Sequence, residues 1–157
     1  MAVRKVLVVK NGQVQQLQPG DIISGQNLSV DLTNGSGTDA APIGSPVRIL
    51  NDDTFSLAEA DNANAKDTIG FAAETIGVNP ASGTIQTEGV LEATTGEWDA
   101  ITGDTGGLVA GSKYYLDVTP GKMTKTPPTA EDVYLAPLGI AITATTFRID
   151  IDTNILL

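Results

Sequence analysis

The chain reads as an all-β protein: a compact β-barrel or sandwich body of two similar β-units, preceded by an extended N-terminal β-arm. Three observations predict this. Turn signals recur along the whole length, at Pro19-Gly20, Asn34-Gly35, Asn51-Asp52-Asp53, Asn79-Pro80, Ser82-Gly83, Gly106-Gly107, Pro120-Gly121 and Pro127-Pro128. Short runs of alternating or continuous apolar character lie between them, which is strand spacing for a sandwich or barrel. Leu/Glu/Lys patterns of helical period are scarce.

The elements follow in order. Residues 3–9 hold the densest β-branched and aliphatic run, Val3, Val6, Leu7, Val8 and Val9, with Arg4 and Lys5 among them. Asn11-Gly12 is a strong hairpin signal, and residues 13–17 return with Val14 and Leu17. Residues 1–23 are therefore an arm. Its candidate assembly residues are Val3, Arg4, Lys5, Val6, Leu7, Val8, Val9, Val14 and Leu17. A Gly/Ser/Asn/Asp-rich stretch over 24–41 reads as a flexible linker. The body, 42–157, has predicted strands at 46–50, 54–57, 69–75, 83–91, 113–118, 122–124, 138–141 and 145–151. The best helical candidate is a single turn at 61–66, with another turn at 129–132.

The body repeats an order. Gly44-Ser45 opens PVRIL, the turn NDD and TFSL; Gly111-Ser112 opens KYYLDV, the turn TPG and KMT. IGFAAET at 69–75 is matched by LGIAITA at 138–144, and each half closes on a further strand, GTIQTEGVL or TTFRIDI. Two similar β-units are the simplest reading. Gly70 and Gly139 head matching strands, where a glycine marks a bulge or a close backbone approach, here for packing rather than for a ligand.

Composition narrows the function. At 157 residues the chain is one domain, or one domain with an arm. It has no Cys and no His, which removes disulfides, thiolate chemistry, the commonest general base and the commonest metal ligand. No apolar run is long enough to span a bilayer, and the N-terminal run lacks the features of a signal peptide. The expectation is a protein made and assembled in a cytoplasm, with no membrane partner. The net charge is -10, from 9 basic and 19 acidic residues. Asp21, Asp31 and Asp39 precede Pro42, so sixteen acids face six basic residues beyond it. Such a body repels nucleic acid. Residues 3–19 carry Arg4, Lys5 and Lys10 and no acid, the pattern of an edge strand kept soluble by cations.

No constellation carries chemistry. Residues 106–113, GGLVAGSK, have Ser before Lys and lead into a strand, so the phosphate-loop pattern fails. Without His there is no Ser triad. Glu88, Glu92, Glu97, Asp99 and Asp104 cluster in sequence, but a glycosidase needs two carboxylates across a cleft, usually with aromatic platforms. Trp98 is expected to pack over a loop at the barrel edge rather than stack on a sugar. Asp61, Asn62, Asn64 and Asp67 miss the spacing of a calcium loop. Asp150 and Asp152 share one face of a predicted terminal strand. No enzyme activity, cofactor or metal is expected.

The chain resembles structural proteins of tailed phages. The resemblance runs through IGFAAETI, GTIQTEGVL, Trp98, ITGDTGGLVAGSKYYLDVTPGKMTKTPPT and LGIAITATTFRIDI, and covers most of the chain. The arm VRKVLVVKNGQVQQLQPGD is similar to N-terminal attachment segments of fibre-type virion proteins. The resemblance implies a capsid decoration protein in the virion, a homotrimer bound to the major capsid protein or another virion protein. The alternative is a head- or tail-fibre or spike module that attaches to a host surface. It implies no catalytic residues. Fibres of this kind often place long repeats after the arm; the short linker here favours decoration.

Overall fold

The computed structural model describes residues 7–10, 13–16 and 27–157. Strands β1 (Leu7–Lys10) and β2 (Gln13–Gln16) pair antiparallel, with Leu7 opposite Gln16 and Lys10 opposite Gln13, and form a two-stranded sheet of their own. The predicted turn residues Asn11 and Gly12 lie outside the described residues.

The body is all-β around one short helix. Its first part runs through β3 (Leu28–Asn34), β4 (Pro46–Asn51), β5 (Thr54–Leu57), β6 (Gly70–Ala72) and β7 (Ser82–Glu92). β3 pairs parallel with β5 and antiparallel with β7, and β5, β4, β6 and β7 follow one another, so these five strands close into a barrel. Closure leaves each member fewer open edges. Helix α1 (Thr95–Thr102) follows, then β8 (Lys113–Leu116), β9 (Met123–Thr124), β10 (Tyr134–Leu135), β11 (Pro137–Ala141), β12 (Thr146–Ile149) and β13 (Ile155–Leu156). β12 pairs with residues 89–92 of β7, and β11, β8 and β9 extend the sheet outward. β7 is thus shared: its first part belongs to the barrel and its end to the second sheet. β10 and β13 form a separate pair.

The internal repeat is present as topology and as individual hydrogen bonds. In each half a hairpin's first strand pairs with a glycine strand, which pairs with the closing strand: β5-β4-β6-β7 in one, β9-β8-β11-β12 in the other. Gly44 N–H donates to Ala72 and Ala72 N–H to Ser45; Gly111 N–H donates to Ala141 and Ala141 N–H to Ser112. Both opening glycines are left-handed, at φ 85° and 80°. The hairpin turns place Asp53 and Gly121 in the left-handed region at matching positions, φ 54° and 70°. A Cβ at Gly70 would strike the carbonyl of Gln86, and one at Gly139 the carbonyl of Arg148, each on the strand that closes its unit. These glycines are therefore packing requirements, as the sequence suggested.

Two cores result. The barrel buries Leu32, Ala41, Val47, Phe55, Ala72, Ile76 and Ile85. The larger core gathers Trp98, Ile101, Tyr114, Leu116, Met123, Leu138 and Phe147 with smaller neighbours, and takes Phe71 from the barrel's own β6. Phe147 is its centre, with ring centroids 5.4 Å from Phe71, 5.8 Å from Trp98 and 6.0 Å from Tyr114. Tilted and edge-on rings at such spacings are mutually favourable.

Three sequence expectations change. The span 24–41 is not all linker, because β3 occupies Leu28–Asn34 and supplies the strand that closes the barrel. Its alternation LSVDLTN ends in buried Leu32 and Asn34, and the Asn34 amide holds the carbonyls of Asp39 and Gly77. Residues 61–66 form turns rather than the best helix. The helix is α1, whose start is a full capping box: Thr94 Oγ1 accepts from Glu97 N–H while the Glu97 carboxylate accepts from Thr94 N–H.

Candidate functional site

Of the candidate assembly residues, Leu7, Val8 and Val9 lie on β1 and Val14 on β2. Val3, Arg4, Lys5, Val6 and Leu17 lie outside the described residues. Every other residue singled out for possible chemistry lies in the body, and most have a structural task there.

The carboxylate cluster is dispersed by the fold. Glu97 closes the capping box, and the backbone and side-chain hydrogen bonds from Thr94 hold its carboxyl below the usual range. Asp99, two residues along α1, turns the other way and accepts from Gly106 N–H at 3.1 Å and Gly107 N–H at 2.6 Å. Those are the amides of the glycine-rich loop that a phosphate would need, and a carboxylate already occupies them. Asp104 pairs with Lys125 at 2.8 Å, and that hydrogen bond raises the lysine's pKa. Lys122, from the β8–β9 turn, donates to the Ala100 carbonyl near the end of α1, where a cation favours the helix dipole.

Trp98 is fully buried and its Nε1 donates to the Thr145 carbonyl at 3.0 Å. Its ring lies against Gly44, so closely that a Cβ there would overlap it. The expected position over a loop at the edge is therefore replaced by a core position, and the ring has no face for a sugar. The helix places it inside: Trp98 and Ile101 are the buried residues of α1, three apart on one face.

The oxygen-rich loop at 59–67 is held by hydrogen bonds of its own and by Asn154. Asn62 Oδ1 accepts from Asn64 N–H, its amide donates to Glu59, and Asp67 pairs with Lys66 at 2.7 Å and with the Asn154 amide at 3.0 Å. Among the described residues no three acidic side chains converge in a way that could hold a metal ion. Asp150 and Asp152 lie beyond the end of β12, not within a terminal strand. Both are exposed, and their N–H groups bond back to Leu138 and Pro137 of β11.

A groove of about 640 Å³ lies where β12 ends beside residues 87–90 of β7. Thr68, Glu88, Arg148 and Asp150 give it polar character and Ile69 and Ile151 apolar walls. It is open, and its side chains offer no nucleophile next to a base.

The body's surface has one further incomplete feature. On β3 the burial sequence is exposed through residues 28–31 and buried only from Leu32. β5 pairs with Thr33 and Asn34 and reaches no farther along β3. The chain matches no family model, no curated protein and no solved structure.

Proposed function

We propose that the protein is a structural component of a phage virion that binds a capsid surface and decorates or stabilises it. The observation that carries this reading is the division of labour along the chain. Among the described residues, a basic, β-branched hairpin pairs with itself and with no other strand, ahead of an acidic, closed β-body in which many polar residues hold loops and caps. A lone two-stranded hairpin is marginal in water and gains stability by joining another sheet. The resemblance of IGFAAETI and LGIAITATTFRIDI to tailed-phage structural proteins names the kind of partner.

In this reading the arm adds its strands to a neighbouring subunit or shell protein through backbone hydrogen bonds, and its Val and Leu side chains fill pockets there. Each such side chain contributes about 1.5–3 kcal/mol on burial, before ordering costs. A homotrimer places three arms on one shell and multiplies the effect through local concentration. The body contributes bulk, rigidity and a negative outer surface.

Co-sedimentation with empty capsid shells of the virus that encodes the chain tests this. The full chain is expected to pellet with shells at a fixed copy number, and Val9→Asp to abolish pelleting by placing a charge opposite Val14, at the hairpin's apolar pair. Equal pelleting by both proteins, or none by either, contradicts the proposal.

A further inference from the structure

Two incomplete pieces of this chain are complementary. The first is the free side of β3. Asn34 N–H donates to Ala81 on the β7 side, and Thr33 N–H donates to Asp53 on the β5 side. Backbone groups alternate along a strand. The N–H and C=O of Ser29 and Asp31 therefore point to the β5 side, ahead of where the parallel strand β5 begins at Thr54. Side chains alternate as well. Leu28 and Val30 continue the core-facing row of Leu32, but Leu32 is 5% exposed while Val30 is 41% and Leu28 48%. The barrel's apolar row thus runs past its cover. Acidic residues frame the place: Asp31 on β3, Asp52 and Asp53 at the adjoining hairpin turn, and Glu88 opposite Leu28.

The second piece is the β1–β2 hairpin, with Leu7, Val8, Val9 and Val14 in its strands and Arg4, Lys5 and Lys10 along the arm. It offers what the β3 side lacks: strand backbone, apolar side chains and positive charge. Among the described residues no bridge joins this hairpin to β3 of its own chain.

We infer that the open side of β3 at residues 28–31 is the acceptor for the β1–β2 hairpin of a second copy of this chain. The arm of each copy extends the neighbour's barrel sheet ahead of the start of β5, covers Leu28 and Val30, and sets its cations against Asp31, Asp52 and Asp53. The exchange links copies into a ring or closed oligomer. It rests on the reading of the arm as an assembly strand and names the surface the arm occupies between copies.

The chain contains no Cys, so introduced thiols are unique. The full chain carrying Asp31→Cys is mixed with a tagged full chain carrying Gln15→Cys, and a short bis-maleimide is added. The expected result is a crosslinked pair of tagged and untagged chains, in several-fold excess over a control mixture in which Glu131→Cys replaces Asp31→Cys. Raised salt lowers the yield, since the contact joins opposite charges. The inference is overturned if the yield does not exceed the control. It is also overturned if a single chain carrying both substitutions crosslinks within itself at high dilution, which would make the arm its own chain's strand. Shell co-sedimentation of the unsubstituted protein separates this result from the proposed function. Shell binding without the crosslink leaves decoration standing and removes the acceptor on β3; the crosslink without shell binding does the reverse.

Discussion

The two β-units have the same topology and the same pinned glycines, yet they are completed in different ways. Matching positions hold Val47 and Tyr114, Phe55 and Met123, Ala72 and Ala141, Ile85 and Phe147, all buried. The first unit closes on itself by recruiting β3, and its interior is small and mostly aliphatic. The second has no such strand. It is filled instead by aromatic rings and by Trp98 and Ile101 of α1, and it borrows Phe71 from the first. Backbone geometry is thus set by a few glycines and carbonyls, while core volume is free to be met by different side chains. The difference also separates their weak points. The barrel's is its open strand β3, and the second unit's is the single ring on which its aromatic cluster converges.

The comparison can be broken most severely at Phe147. Phe147→Ala removes the ring that touches Phe71, Trp98 and Tyr114 and should cost about 3–5 kcal/mol. Ile85→Ala, its counterpart in the barrel, should cost about 2–5 kcal/mol and leave the aromatic cluster's near-ultraviolet signal closer to native. Denaturant unfolding followed by circular dichroism measures both. A single shared transition for each variant shows that the units fold together, whereas two transitions would separate them.

The glycines test the repeat itself. Gly70→Ala and Gly139→Ala each drive a Cβ into a backbone carbonyl, of Gln86 and of Arg148. Each should lose about 1–3 kcal/mol by overpacking. Gly139 is expected to lose more, because it also sits at φ 153°. Near-neutral Gly70→Ala would contradict the equivalence of the two strands.

Smaller effects sharpen the difference made by α1, which only the second unit has. Thr94→Ala should cost about 1 kcal/mol by removing the cap. Glu97 has a folded-state pKa below its unfolded value. Its contribution is therefore present above the ordinary carboxylate pKa and lost as pH falls through the depressed one. Glu97→Gln should flatten that part of the stability–pH curve, since Gln can fill the same place in the box without titrating. Lys125→Ala, which removes an exposed pair with Asp104, should change stability least of all.

Much of this architecture was legible from residues alone. The hairpin turns, the matched Gly44-Ser45 and Gly111-Ser112, and the glycine strands at 70 and 139 all have local causes that spacing reveals. β3 was not legible, because its exposed first half and flanking Gly, Ser and Asn make a barrel strand look like a linker. Its role depends on long-range pairing with β7, which no local pattern encodes. Helix α1 had a readable signal, Thr94-x-x-Glu97, but it follows strand residues and spans only Thr95–Thr102. The burial of Trp98 depends on that helix and on the bare face of Gly44, so reading it as an edge residue followed from missing both. For the candidate site, charge and β-branching marked the arm. The open side of β3 was invisible because it is defined by where β5 begins.

In the proposed reading, folding belongs to the paired β-units and assembly to the arm, and one measurement tests that division most directly. Residues 1–20 are deleted, and the truncated and full chains are compared by thermal unfolding, by sedimentation velocity and by pelleting with empty shells. The account predicts the same unfolding behaviour of the body, a shift to the monomer, and loss of shell binding. A truncated chain that assembles and binds shells as well as the full one would contradict it and place assembly on the acidic body.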